Sequence, residues 1–354
     1  MGANDRIRFL AGRALGGWAG LAGLLGGLML SQACVAQDAV PESQAVQDVQ
    51  LELPASDSGR GADKQPPPLS PEELERLQMA ETMENTAKTL FNPPSAMRKR
   101  AEREMKLADN PLVFLPYKAN YFLPVSYYSG YDQSARFRDA EYGPVETQFQ
   151  VSFKFPVYAG LFSSDDALIA AYTQQSYWQL YQESSPFRET MYEPELIYGM
   201  SLNRPLLSDL KLEGFTLGIN HQSNGQGGEF SRSWNRLFAE VFFASGDWGI
   251  AFKRWFRIPE PASEDDNPDI KEYIGVSELG MAYTKANHVL TFRMRNHIDS
   301  DFSRGNMQFS WSFPLAGERY KGYLLMRTGY GDTLADYDHY IDRIGLGISI
   351  NDIL

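Results

Sequence analysis

One cysteine in 354 residues, Cys34, means that no intrachain disulfide staples this chain. Cationic residues are also short: 33 Lys and Arg against 45 Asp and Glu leave a formal charge of −12, which excludes a surface built to neutralise phosphates. Nucleic acid is therefore not an expected partner. Beyond residue 30 no run of eighteen apolar residues occurs. Helical membrane spans are excluded, and a closed barrel is the remaining way for the chain to cross a bilayer. Aromatic side chains, by contrast, make up 13% of the chain, more than an acidic soluble protein needs and in keeping with the aromatic girdles of such barrels.

Arg6, Arg8 and Arg13 precede an apolar, Gly-rich run from Ala14 to Leu30, and two small-residue sites follow, Ser31-Gln32-Ala33 and Cys34-Val35-Ala36. This predicts a secretory signal peptide over residues 1–36, cut after Ala33 or Ala36, with an uncleaved anchor as the alternative. Cleavage after Ala36 removes Cys34, and Ser31 stands where lipoprotein signals carry Leu. From Gln37 to about Pro68 the composition is that of a disordered linker, rich in Asp, Glu, Gln, Ser and Pro. Ser70 to Leu107 reads as short helices broken by Asn92-Pro93-Pro94, with Ser70 as N-cap. The expected organisation is signal 1–36, polar extension 37–109 and one large domain over 110–354.

From Leu112 onward the chain divides into alternating runs of about ten residues, separated by Gly, Pro, Asn and Asp clusters. About twelve runs are expected, an even number as bacterial membrane barrels require. In Val145 to Val157, for example, Val145, Thr147, Phe149, Val151, Phe153 and Phe155 alternate with Glu146, Gln148, Gln150, Ser152 and Lys154. Short connections such as Lys285-Ala286-Asn287 interleave with longer polar ones such as Glu260 to Asp269, matching short periplasmic turns and longer outer loops. A soluble barrel would bury its apolar face inward, but twelve strands enclose more volume than the small lumen-facing apolar set fills. The expected fold is all-β, a transmembrane antiparallel barrel of about twelve strands. The run from Ser233 to Phe243 is equivocal, because Phe238 and Phe242 fall on its inward face. The inward set Glu146, Lys154, Arg236, Glu240, Arg293 and Arg295 is mixed in sign, which suits a salt-bridged lumen better than a selective channel. A passive pore or a catalytically silent barrel remains the alternative.

Candidate chemistry centres on Gly214 to Phe243. Side chains two apart on a strand share a face, so Phe215, Leu217, Ile219, His221 and Ser223 lie together, as do Asn235, Leu237, Ala239, Val241 and Phe243. A Gly/Ser-rich loop joins the two runs, and a hairpin brings His221 next to Asn235 at its loop end. A hydroxyl is a poor nucleophile unless an adjacent imidazole takes its proton, and a third group must hold that imidazole in the right tautomer. Ser223, His221 and Asn235 supply these three roles for acyl transfer. Cα atoms two apart on a strand are separated by about 6–7 Å, which a hydroxymethyl and an imidazole can bridge. Backbone N–H groups in Gly225-Gln226-Gly227-Gly228, Gly225 first, can receive an oxyanion. If the apolar faces meet lipid, the three side chains lie outside the barrel near its outer rim. A polar cluster there is expensive and reads as functional, with a membrane phospholipid ester as the substrate that the location supplies.

These same residues carry a resemblance. HQSNG followed by SRSWNR resembles the signature of the outer-membrane phospholipase A family, and the similarity continues through YTQQSYWQL, ESSPFRETMYEPEL, DNPDI and LGISINDIL, covering roughly residues 109 to 354. The resemblance implies an outer-membrane location, His221 as general base, Ser223 as nucleophile and Asn235 as third member. It further implies a Ca2+ cofactor with ligands at Gln226, Ser231 and Ser184, and activity as a homodimer. The family often has Arg where Gln226 stands, a change that a ligand acting through its backbone carbonyl tolerates. The acidic stretch SEDDNPD is an alternative calcium site. Gln174 falls on the apolar face of the run Leu168 to Tyr181, with no evident polar partner on that face. Its amide is expected to pair with Gln174 of a second copy, or to reach water at the rim.

Overall fold

The computed structural model describes residues 98–100, 104, 114–130, 142–296, 300–315 and 320–351. The expected signal peptide, the linker and most of the helical stretch from Ser70 lie outside the described residues. Twelve strands follow the two-residue bridge Leu115–Pro116. The first six are β1 (Asn120–Ser129), β2 (Val145–Ala159), β3 (Asp166–Trp178), β4 (Phe187–Leu207), β5 (Leu210–Ser223) and β6 (Ser233–Ser245). The rest are β7 (Trp248–Arg257), β8 (Ser277–Lys285), β9 (His288–Arg295), β10 (Asn306–Pro314), β11 (Lys321–Gly329) and β12 (Ile341–Asn351). Each pairs antiparallel with its sequence neighbours, and β12 pairs with β1, so the sheet closes without a free edge.

Burial runs inside out. Along β12, Ile344, Leu346, Ile348 and Ile350 are exposed, whereas Arg343 and Ser349 are buried. Residues with period two therefore send apolar groups outward and polar groups inward, the arrangement of a barrel solvated by lipid. Among the described residues no helix is long and apolar enough to cross a membrane. The fold is the transmembrane antiparallel barrel that the alternation predicts, and the membrane reading of the apolar face holds.

Connections at one end are tight. Ala286 and Asn287 both adopt positive φ, 49° and 64°, the geometry of a two-residue hairpin turn whose twist matches the strands. Connections at the other end are long, and the segment between β7 and β8 carries a one-turn helix, α1 (Ile270–Ile274). His221, Ser223 and Asn235 occur at this long-loop end.

The lumen is packed rather than open at that end. Glu146 accepts from Arg188 at 2.9 and 3.0 Å and pairs with Arg343 at 2.8 Å. Arg343 in turn holds Asp332 at 2.6 Å, and Arg327 reaches the same carboxylate at 3.2 Å. Leu334 and Tyr337, from the segment between β11 and β12, pack with Tyr177, Trp234 and Trp255 in the buried cluster. The equivocal aromatic Phe238 points inward and is 5% exposed. It faces Gly218 across the ladder, where a Cβ would meet the Phe238 ring at 2.4 Å, so the absent side chain on β5 makes room for the ring on β6. A cavity of about 540 Å³ lies in the lumen, lined by charges of both signs that include Lys154, Arg236, Glu240, Arg293 and Arg295.

Candidate active site

Register places the candidate residues. β5 and β6 pair His221 with Asn235, Gln222 with Trp234 and Asn220 with Arg236. Side chains alternate across the wall, so His221 and Asn235 share the outward face with the exposed Leu217, Ile219 and Leu237. The inward partners lock this register. Trp234 donates to Gln222 at 2.9 Å, and Arg236 donates to Asn220 at 3.0 Å and to Glu193 at 2.8 Å while lying 4.2 Å from the Trp234 ring centroid. A slip by one residue would break all of these and turn His221 into the lumen.

On the outward face, His221 Nδ1 and Asn235 Oδ1 are 2.9 Å apart. Ser223 is two residues on from His221 and pairs in the ladder with Ser233 on one side and Tyr192 on the other. Ser223 and His221 are half-buried, neither swamped by solvent nor sealed from lipid. The neighbouring residue Asn224, 2% exposed, pins the loop that follows. Its amide donates to Phe230 O at 2.9 Å, and its oxygen accepts from the Gln226 and Arg232 N–H groups at 3.2 and 3.0 Å. Gly225 has φ 65°, and a Cβ there would meet the Tyr192 ring at 2.8 Å, so both conformation and contact require glycine. The Gly-rich connection is a pinned loop, with a short 3-10 turn at Gly228–Phe230.

The three oxygen donors named for calcium fall on two loops. Gln226 and Ser231 share the loop between β5 and β6, whereas Ser184 lies between β3 and β4, exposed and with φ 62°. Ser231 Oγ donates to Asp266 Oδ2 at 2.5 Å. The acidic stretch considered as a separate site thus lies against Ser231. Its neighbour Asn267, fully buried, accepts from Ser233 N at 3.0 Å and ties the two loops together. Asp266, Asn267 and Glu260, whose carboxylate accepts from Asn235 Nδ2 at 2.8 Å, escape a reading of strand periods because they are brought in by the path of a long loop.

Gln174 has hydrogen-bond partners on its own chain. Tyr172 donates to its oxygen at 3.1 Å, its amide donates to Ser176 at 3.3 Å, and Thr190 of β4 reaches Ser176 at 3.1 Å. Tyr172 and Ser176 flank Gln174 on the same face at a spacing of two, and their hydroxyls give its amide one acceptor and one donor contact within the chain.

A closed antiparallel barrel with apolar groups outward and charged groups inward defines a membrane-embedded β-barrel, and its outer wall carries the candidate Ser, His and Asn. The comparisons are specific. A family model described as Phospholipase A1 matches residues 97–350. Phospholipase A1 of Escherichia coli strain K12 is 32% identical over 284 residues, covering 76% of this chain and 92% of the relative. That of Salmonella typhimurium is 33% identical over 291 residues, covering 77% and 94%. Among solved structures, outer membrane phospholipase A from Escherichia coli superposes with a TM-score of 0.63 at 33% identity, covering 70% of this chain and 95% of that one. The Salmonella typhi outer membrane phospholipase, solved as a dimer with bound calcium, gives 0.64 at 33% identity, covering 71% and 97%. The chain belongs to the phospholipase A1 family. It is a phospholipid-hydrolysing esterase built on an outer-membrane barrel.

Proposed function

We propose that this chain hydrolyses acyl esters of glycerophospholipids at the lipid-facing outer rim of its barrel, with Ser223 as nucleophile, His221 as base and Asn235 as orienter. The observation that carries the reading is the 2.9 Å contact between His221 Nδ1 and Asn235 Oδ1 on a wall otherwise exposed to lipid. Ser223 Oγ attacks the acyl carbonyl as its proton passes to His221 Nε2. The oxyanion is received by the Gly225 N–H. Collapse breaks the ester bond, and the leaving lysophospholipid oxygen takes the proton from His221. Water then attacks the acyl-serine with His221 again as base, and the fatty acid is released.

Calcium fits the residues present. Ser231, Asp266 and the Gln226 carbonyl offer oxygen only, as a hard cation prefers. Among the described residues no group of three or more His, Cys, Asp or Glu forms a metal cluster, so neutral oxygens must complete the set. Ser231, Gln226 and Ser184 would hold the ion, which would supply positive charge to stabilise the oxyanion. Because the Salmonella typhi relative is a calcium-bound dimer, Ser184 of one copy is proposed to meet Gln226 and Ser231 of the other. Gln174 is proposed for the contact between the copies, exchanging its bonds to Tyr172 and Ser176 for bonds to the second chain. A leader over residues 1–36 is proposed to export the chain.

The test is phospholipid hydrolysis by purified protein, wild type and Ser223→Ala, with calcium added or chelated. Turnover by Ser223→Ala at the wild-type rate removes the proposed nucleophile.

A further inference from the structure

β7 makes its last backbone bond to β6 through Ile258 N, which donates to Asn235 O at 2.8 Å. Pro259 follows and, having no N–H, cannot extend the ladder. The chain therefore turns away from β6, and the next side chain, Glu260, returns over Asn235. Its Oε1 accepts from Asn235 Nδ2 at 2.8 Å, and its Oε2 lies 3.6 Å from Arg257 Nη2. Only 17% of the side chain is exposed, and Oε2 is buried without a hydrogen-bond partner among the described residues. A solvated loop glutamate would not pay that desolvation.

An ionised carboxylate only accepts, so the group that Asn235 turns toward Glu260 must be its NH2. The Asn235 oxygen is then left facing His221 Nδ1, and an acceptor there requires that Nδ1 carry the proton. Nε2 is left with its lone pair, the state a base must have to receive the Ser223 proton. An asparagine alone does not determine this, because its amide presents an oxygen or an NH2 depending on which way it is flipped. We infer that Glu260 is a positioning residue for the hydrolytic site, fixing the Asn235 amide and through it the His221 tautomer. The inference rests on the reading of Ser223, His221 and Asn235 given above, and it extends that set to a fourth member.

The experiment compares Glu260→Ala, Asn235→Ala and the double variant with wild type, each recovered as folded barrel, on phospholipid micelles at saturating calcium. Glu260→Ala is expected to lower kcat about tenfold at unchanged KM, the loss expected from one charge-assisted hydrogen bond. The double variant should be no slower than Asn235→Ala, because Glu260 acts only through that amide. The calcium concentration giving half activity should not move. Wild-type kcat in Glu260→Ala overturns the inference. So does a further tenfold loss in the double variant, or a raised calcium requirement, either of which assigns Glu260 to the Arg257 loop instead. If Glu260→Ala is not recovered folded, Glu260→Leu, close in volume and without an acceptor, replaces it. A parallel Ser223→Ala control separates the two failures: activity in that variant removes the underlying site, whereas its inactivity beside a fully active Glu260→Ala removes Glu260 alone.

Discussion

Asp332→Asn tests whether the lumen is held together by its buried charges. Asp332 lies between β11 and β12 and is 3% exposed, with Arg343 at 2.6 Å and Arg327 at 3.2 Å. Burial by itself would raise its carboxyl, but the two guanidiniums outweigh burial and hold it well below the usual carboxylate range. Substitution by Asn keeps the volume and one acceptor while removing the charge that balances Arg327. Breaking a buried pair from one side costs on the order of 3–5 kcal/mol. Arg343 keeps Glu146 at 2.8 Å, which places the expected loss at the lower end, about 3 kcal/mol. The pH dependence has a definite sign. A carboxyl depressed in the folded state adds stability above its unfolded value of about 4, and that stability is lost as pH falls below it. Urea unfolding of the barrel in detergent, followed by tryptophan fluorescence at pH 7 and at pH 3, measures both effects. The gap between wild type and Asp332→Asn should narrow at the lower pH. A loss under about 1 kcal/mol at pH 7, with no narrowing, would place this network with solvent-screened surface pairs and refute the reasoning.

Four further outcomes are expected. His221→Ala should abolish ester hydrolysis as fully as Ser223→Ala while the barrel still folds, because nucleophile and base act as one unit; turnover measured on folded protein decides it. Asn235→Ala should be milder, since a neutral orienter supplies position rather than charge, and a silent Asn235→Ala would mean that another group orients His221. Chelation should stop hydrolysis, and Ser231→Ala should raise the calcium needed for half activity, whereas Gln226→Ala should change it little because the proposed ligand atom is in the backbone. Gln174→Ala should lower crosslinked dimer and activity together at limiting calcium, and full activity from a strictly monomeric protein would show that one chain completes the site.

The alternation along single strands was enough to read the architecture. Val145 to Val157 already shows which face meets lipid, and an even count of such runs implies closure, because a period of two is a local property that the pleat converts directly into facing. The same count places His221 and Ser223 on one face, and the Gly-rich loop brings Asn235 opposite. Contacts between segments joined by long loops were not legible in this way. Glu260 beside Asn235 and Asp266 beside Ser231 depend on where Pro259 turns the chain and on how Asn267 anchors it, and no local periodicity encodes either path. Phe238 could be placed only once Gly218 stood across the ladder from it. The intrachain partners of Gln174, Tyr172 and Ser176, were not legible from the stripe either. Only the folded sheet shows their hydroxyls turned toward the amide, with Thr190 of the adjoining strand completing the chain. Sequence determined the wall and its faces, since these follow from the backbone's repeat; the tertiary structure decided which side chains meet across it, since that depends on loop paths and register.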